Sequence, residues 1–415
     1  MTKKRLYIII GSAVAVVIIG IVLYTWLRPK EVVTEQGAIT PLVGSEDIRI
    51  RLTDEEIAQG KTEADKQKEL QSQQDANRPG FEDVSEVTVR KVLDSDVLSP
   101  TLSKDRQKIL YFDSVNNEFY QSNPDGSSVE AITSGGFNNV YNVKWGDSKD
   151  AAIVVFSGDA GTTKRFISFN FNNQAFNDLG NNVADAAVSP DGSKIVYLFV
   201  DQNNDVSNIS SADFDGSKWK IVRPYHMDNV SLAWPDPFKF VVAEEPTGYD
   251  MTSLFSLETS GDTMTTVVGD AYGLSYTLSP DGKKLLYTAS SARPNEVFLY
   301  MTDIEGNEHK DLGLSTMAEK CAFAPDNKTV YCGVPQNKNV EFVLPDDYLQ
   351  ENYVTEDSFF RIDTDTGKKE RLAGPTEFNL AYDVFDPFIS ESGRTMYFKR
   401  RQDDRLYGLI VPENK

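Results

Sequence analysis

One four-residue turn recurs along this chain at nearly constant spacing. Ser189-Pro190-Asp191-Gly192 precedes Lys194-Ile195-Val196-Tyr197, and Ser279-Pro280-Asp281-Gly282 precedes Lys284-Leu285-Leu286-Tyr287. Ala324-Pro325-Asp326-Asn327 precedes Thr329-Val330-Tyr331, and Ser390-Glu391-Ser392-Gly393 precedes Thr395-Met396-Tyr397-Phe398. Degenerate copies surround Asp105, Lys149 and Asp236. With Ser392 as the last marker, the seven positions are spaced by 44, 42, 45, 45, 45 and 66 residues. A second turn follows the same period, as in Asn123-Pro124-Asp125-Gly126 and Asp303-Ile304-Glu305-Gly306. Gly and Asn stand where such hairpins need a positive φ, and Pro is confined to turns because it cannot serve a central strand.

Between the turns lie short apolar runs of β type, four to a period. A four-stranded sheet cannot bury both its faces alone; sheets stacked around an axis bury each against two neighbours. A period of about 40–45 residues with four strands in each unit is the signature of a β-propeller. After residue 80 no amphipathic helix of useful length occurs, which removes alternating βα units. The Ser-Pro-Asp-Gly turns at 189–192 and 279–282, each followed by Lys and an apolar-apolar-Tyr strand, resemble the TolB-like, WD-repeat-like propeller family over roughly residues 95–413. That resemblance implies an all-β propeller and protein interactions of the cell envelope.

The copies predict seven blades, with six as the alternative count. The last repeat offers strands near Phe385–Ile389, Met396–Arg400 and Leu406–Val411 but no fourth. Ser85–Leu93, an unassigned strand ahead of the first repeat, is expected to supply it and so to close the ring and hide its edge.

Leu6 to Leu27 is a run of 22 residues without a charge. As a helix it spans about 33 Å, enough for a hydrocarbon core of ~30 Å. It ends Tyr24-Thr25-Trp26-Leu27-Arg28-Pro29, an aromatic belt and a helix stop, where a cleaved leader would end in small residues. Lys3, Lys4 and Arg5 before the run, against Arg28 and Lys30 after it, place the N-terminus in the cytoplasm and the rest outside. The expected organisation is a cytoplasmic tip (1–5), a transmembrane helix (6–27), a stalk (28–80) and a propeller (81–415). Within the stalk Thr53-Asp54-Glu55-Glu56 is a capping box that opens a solvated helical stretch. The chain's net charge is −21, and its first 30 residues hold five cations and no acid, so residues 31–415 carry −26. Such a surface repels nucleic acid, which is excluded as a partner.

Three features remain as candidates for function. The 66-residue interval holds about 21 residues beyond the usual spacing, near Val334–Ser358. Insertions of this kind often build binding surfaces, and Phe342, Leu344, Tyr348 and Tyr353 are the expected contacts; the other reading is that they cover a neighbouring blade. Cys321 and Cys332, the two cysteines, flank the Asp326–Asn327 turn symmetrically, so a tight hairpin sets them opposite one another and a disulfide is expected outside the cytoplasm. The other reading is two buried thiols. Histidine numbers only two, His226 and His309, in contexts without metal-ligand spacing, and no Gly-x-Ser-x-Gly elbow occurs. No residue is marked as catalytic, cofactor-binding or metal-ligating, and no cofactor is implied. The functional expectation is a membrane-anchored extracytoplasmic module that binds an envelope or extracellular protein or peptide. The alternative is a hydrolase of glycans or peptides using carboxylates at the channel mouth.

Overall fold

Each turn marker lies in a hairpin between the first two strands of an antiparallel meander. In the first unit Val97–Leu102, Ile109–Asp113, Glu118–Ser122 and Glu130–Ala131 pair in that order. The second (140–178), third (183–224) and sixth (321–373) repeat the pattern. These features come from a computed structural model that describes residues 81–83 and 87–412, apart from 159–163, 227–228, 291, 293 and 338–340. The tip, transmembrane run and stalk lie outside the described residues. Among those described, no helix is long and apolar enough to cross a membrane.

The fourth and fifth units form one seven-stranded sheet because they share a strand, Met264–Leu278. Its first part pairs with Thr252–Glu258 and its second with Lys284–Ser290, across register shifts. In the seventh unit Val384–Ile389, Thr395–Arg400 and Arg405–Ile410 are joined by Thr88–Leu93, which pairs antiparallel with Arg405–Ile410. Residues from the start of the domain thus complete the sheet at its end. One addition was not anticipated: Phe81–Asp83 pairs in parallel with Lys369–Arg371 as a fifth, outer strand of the sixth unit.

Packing between sheets supplies the core. First and second units share Phe112, Phe119, Phe137 and Phe169, and second and third share Ile153, Val155, Val183 and Ile195. Third and fourth meet at Leu198, Trp234 and Phe240, fourth and fifth at Val241, Leu254 and Leu285, and fifth and sixth at Leu286, Leu312 and Val330. Sixth and seventh meet at Phe359, Met396 and Phe398. The last and first close on each other through Val92, Leu93, Val97, Tyr111 and Leu406, and the Tyr397 hydroxyl donates to the Pro124 carbonyl across the junction (3.1 Å). The second strand of each unit is therefore largely apolar on both faces, and Ile109–Asp113 in the first is buried throughout.

The turns obey the chemistry that marked them. Gly192, Gly282 and Gly393 have φ of 75°, 70° and 71°, and Asn327 has 57°. Asp191 and Asp281 each accept from the hydroxyl two residues back (2.7 Å) and the N–H two residues on (3.1 Å). Asp326 accepts from the Lys328 and Thr329 N–H groups (2.9 and 2.8 Å). Gly282 answers a second demand as well, since a Cβ there would sit 2.3 Å from the Pro235 carbonyl oxygen of the preceding unit. Cys321 and Cys332 face each other in register across the same hairpin as Asp326 and are joined by a disulfide, with Cα atoms 4.1 Å apart.

Candidate functional site

The first strands of the units lie against one another around an axis, Val384–Ile389 of the seventh touching Val97–Leu102 of the first. Several of these strands carry a register shift near the same level, between Leu98 and Thr101, Val183 and Asp185, Tyr272 and Ser275, and Phe385 and Phe388. Bulges re-aim side chains and often border sites. Ser99 and Asp386, each followed by Pro, hold positive φ of 48° and 45° there.

A cavity of about 500 Å³ opens at this level and is lined from five units: by Asn142 and Lys144, Asp185, Ser231 and Tyr276 on the inner strands of the second to fifth, and by Glu319 in the 3-10 turn Ala318–Lys320 just ahead of the inner strand of the sixth. Tyr141, Lys164, Glu244 and Glu245 form its rim. Lys144 is fully engaged, for its ammonium donates to both Asp185 oxygens (2.9 and 2.7 Å) and to the Leu232 carbonyl (3.0 Å). Lys164 stands over the Tyr141 ring at 5.3 Å. The carboxylates are less committed. Glu244 accepts from the Ser253 N–H (2.6 Å) and Glu319 from the Ser275 hydroxyl (2.8 Å), and neither joins an ion pair among the described residues. The cavity therefore presents excess negative charge beside tyrosine rings. Burial pushes the Tyr276 hydroxyl up to about 12.

Burial also raises the Glu319 carboxyl above its ordinary 4.5, against hydrogen bonds that lower it. The folded state then holds a proton more tightly than the unfolded chain, so the destabilising charge appears as pH rises past 4.5. Glu319→Gln is expected to stabilise the protein at neutral pH, with the gain fading to nothing below about pH 4.5. Urea unfolding of both proteins across that range checks it.

The insertion, residues 336–356, joins the second and third strands of the sixth unit. Lys164 and Glu244 flank the equivalent connections of the second and fourth, so insertion and cavity mouth share a face. The expectation that its apolar residues form a partner surface is corrected by the structure. Leu344, Tyr348 and Tyr353 are 7%, 0% and 6% exposed, and half-buried Phe342 stacks on Tyr353 at 4.9 Å. With Val297 and Met317 they make a small core of their own. The reason is that the insertion has a polar socket to fill. Lys320, wholly buried, donates to Thr355 Oγ1 (2.7 Å), Asp357 Oδ2 (2.8 Å), Asp383 Oδ1 (2.6 Å) and the Val384 carbonyl (3.1 Å). The Tyr348 hydroxyl donates to the same Asp383 oxygen (2.8 Å), and its ring lies under the Lys320 ammonium at 4.5 Å and the Arg401 guanidinium at 4.2 Å.

Other sequence candidates sit apart from both places. The His309 imidazole is hydrogen-bonded to the Tyr287 hydroxyl (2.8 Å), and His226 is exposed. Sequence reasoning missed Lys320, Glu319, Asp185 and Asp386, yet a signal existed. Asp185, Ser275, Lys320 and Asp386 each stand six residues before the turn markers Asp191, Asp281, Asp326 and Ser392. Polar residues recur at one place relative to the turn, on the inner strand or just ahead of it.

No protein-family model matches the sequence, and neither does any curated protein. Solved structures do match. An oligogalacturonate lyase from Vibrio parahaemolyticus aligns with a TM-score of 0.57 at 11% identity, over 79% of this chain and 95% of its own. TolB from Acinetobacter baumannii aligns over 79% of this chain and 66% of its own (TM-score 0.41, 11% identity). The β-propeller domain of the trilobed protease from Pyrococcus furiosus aligns over 62% and 77% (TM-score 0.43, 15% identity). At these identities the likeness is one of fold alone: a propeller built from four-stranded antiparallel units.

Proposed function

We propose that this chain is a seven-bladed propeller, tethered outside the cytoplasm by residues 6–27, that captures a protein or peptide partner of the cell envelope in its axial cavity. The blade count rests on the four-strand units and on the apolar junction between each and the next. The observation that carries the binding reading is the axial cavity itself. It has room for a side chain or an extended segment, tyrosine rings for contact, and an excess of carboxylates over free cations. That chemistry suits a segment bearing lysine or arginine, and the acidic surface would steer such a partner toward it.

A photoreactive residue at Tyr141, on the rim, tests this in intact cells. It is expected to crosslink one discrete protein, while the same probe at exposed Trp219, on the outermost part of the third unit, is not. Equal, diffuse labelling from both positions would overturn the reading. A second reading, hydrolysis of glycans or peptides, is favoured by one observation: Glu319 lies in the cavity wall with its carboxyl pushed up by burial, the direction a general acid needs. Cleavage of the captured species, abolished by Glu319→Gln, would put the hydrolase reading in place of the first.

A further inference from the structure

The cavity rim on the fourth unit is not held by that unit alone. Glu244, Glu245 and Pro246 line the cavity, and the chain runs on directly into Thr247 and Gly248. The Asp346 carboxylate of the insertion accepts from both: from the Thr247 hydroxyl at Oδ1 (2.8 Å) and from the Gly248 N–H at Oδ2 (2.6 Å). Backbone contact accompanies these bonds. A Cβ on Gly248 would lie 2.4 Å from the Leu344 carbonyl oxygen and 2.7 Å from Val343 Cγ1, so the insertion rests on bare backbone. Gly273, whose N–H donates to the Thr247 carbonyl (2.8 Å), begins the run to Leu274, Ser275 and Tyr276 in the cavity wall, and its absent Cβ would meet the same Leu344 oxygen at 3.1 Å. The Leu344 N–H in turn donates to the Pro294 carbonyl of the fifth unit (2.9 Å). At its far end the insertion is fixed by Tyr348 and Thr355 in the Lys320 socket, and the Arg401 guanidinium of the seventh unit donates to the Leu349 carbonyl (3.2 Å).

We infer that the insertion is a strap that sets the shape of the cavity rim, with Asp346 as the positioning residue and the Lys320 socket as its lock. The strap spans the fourth to seventh units, so the acid-bearing rim segment 244–249 is held from outside its own blade. A rim positioned in this way binds with less ordering cost than a free loop. This rests on the binding reading of the cavity, but its first readout does not.

Hydrogen exchange followed by mass spectrometry on the full chain gives that readout. In Asp346→Ala the amides of 245–251 are expected to exchange at least tenfold faster than in the parent, and Gly248→Ala, which pushes on the strap from the other side, should do the same. Asp347→Ala is the control. Among the described residues its carboxylate accepts only within the insertion, from the Val343 N–H (2.6 Å) and Asn352, so exchange at 245–251 should rise clearly less than in Asp346→Ala. Unchanged exchange at 245–251 in Asp346→Ala, or equal loosening in the Asp347 variant, would overturn the strap. In the crosslinking assay from Tyr141, Asp346→Ala should lower the yield several-fold. Faster exchange with an undiminished yield would show that the strap does not serve the cavity. If the parent captures nothing at all, the binding reading fails while the exchange result still stands or falls by itself.

Discussion

Replacing Lys320 with methionine is expected to cost the folded state about 3–5 kcal/mol, the penalty for breaking a buried ion pair from one side. The lysine's three N–H groups are shared among four acceptors, and it is 0% exposed, as are both carboxylates it pairs with, Asp357 and Asp383. Methionine fills the space of the stem but leaves two acids facing each other without water. Burial opposes the charge on Lys320, yet the Asp357, Tyr348 and Asp383 groups around it outweigh that and push its pKa up. Its contribution is therefore complete below the ordinary lysine value of 10.5 and is lost only in strong alkali. On the acid side the deficit of the variant should narrow. Burial already raises the Asp357 carboxyl above 3.8, and without the ammonium it can discharge itself by taking a proton. Urea unfolding at pH 7 and pH 5 gives the numbers. A loss below about 1 kcal/mol at pH 7 would mean that the network is dispensable to the fold.

Why such a network is kept is a question of specificity more than of strength, since buried ion pairs seldom outdo well-packed apolar groups. An apolar plug could hold residues 336–356 against the sheet in several registers. Lys320 accepts one arrangement, in which the Tyr348 hydroxyl and Thr355 Oγ1 both reach the socket. The strap is then delivered to Thr247 and Gly248 at its other end in a single position.

The fold was legible because its determinants are local and repeated. A Pro-Asp-Gly turn declares its backbone conformation within four residues, and seven copies of one statement fix a period that no single strand could. Even the closure was legible, because the last repeat visibly lacked a strand and Ser85–Leu93 visibly lacked a partner. The site was not legible for the opposite reason. Lys320, Asp357 and Asp383 are separated by 37 and 26 residues and meet only once the sixth and seventh units have stacked. A lone lysine after a glutamate looks like surface. Phe342, Leu344, Tyr348 and Tyr353 misled in the other direction, since aromatic residues among acids resemble a contact surface until the fold supplies a socket for one of them. Phe81–Asp83 carries no alternation at all, and a three-residue parallel strand is decided by where its neighbours hold it.

Removing Thr88–Leu93 is expected to be the most damaging short deletion in the described chain, because it opens the ring. The strand closes the seventh sheet in register from Thr88 opposite Ile410 to Leu93 opposite Leu406. Val92 and Leu93 are buried at the junction with the first unit, and at 1.5–3 kcal/mol for each large apolar side chain their loss alone comes to about 3–6 kcal/mol. The backbone of Arg405–Ile410 would also become a free edge, a template for pairing with other chains, so aggregation should accompany the loss of stability. Deleting Phe81–Asp83 instead provides the comparison. That strand adds to the rim of a sheet that already has its four strands, and its removal should cost less than about 1 kcal/mol, within the range of surface changes. Denaturant unfolding and light scattering on the two deletions separate closure from decoration. Equal stability of both would mean that the junction of last unit with first is not what holds the ring together, and the blades would then have to be stabilised pair by pair, as in an open repeat array.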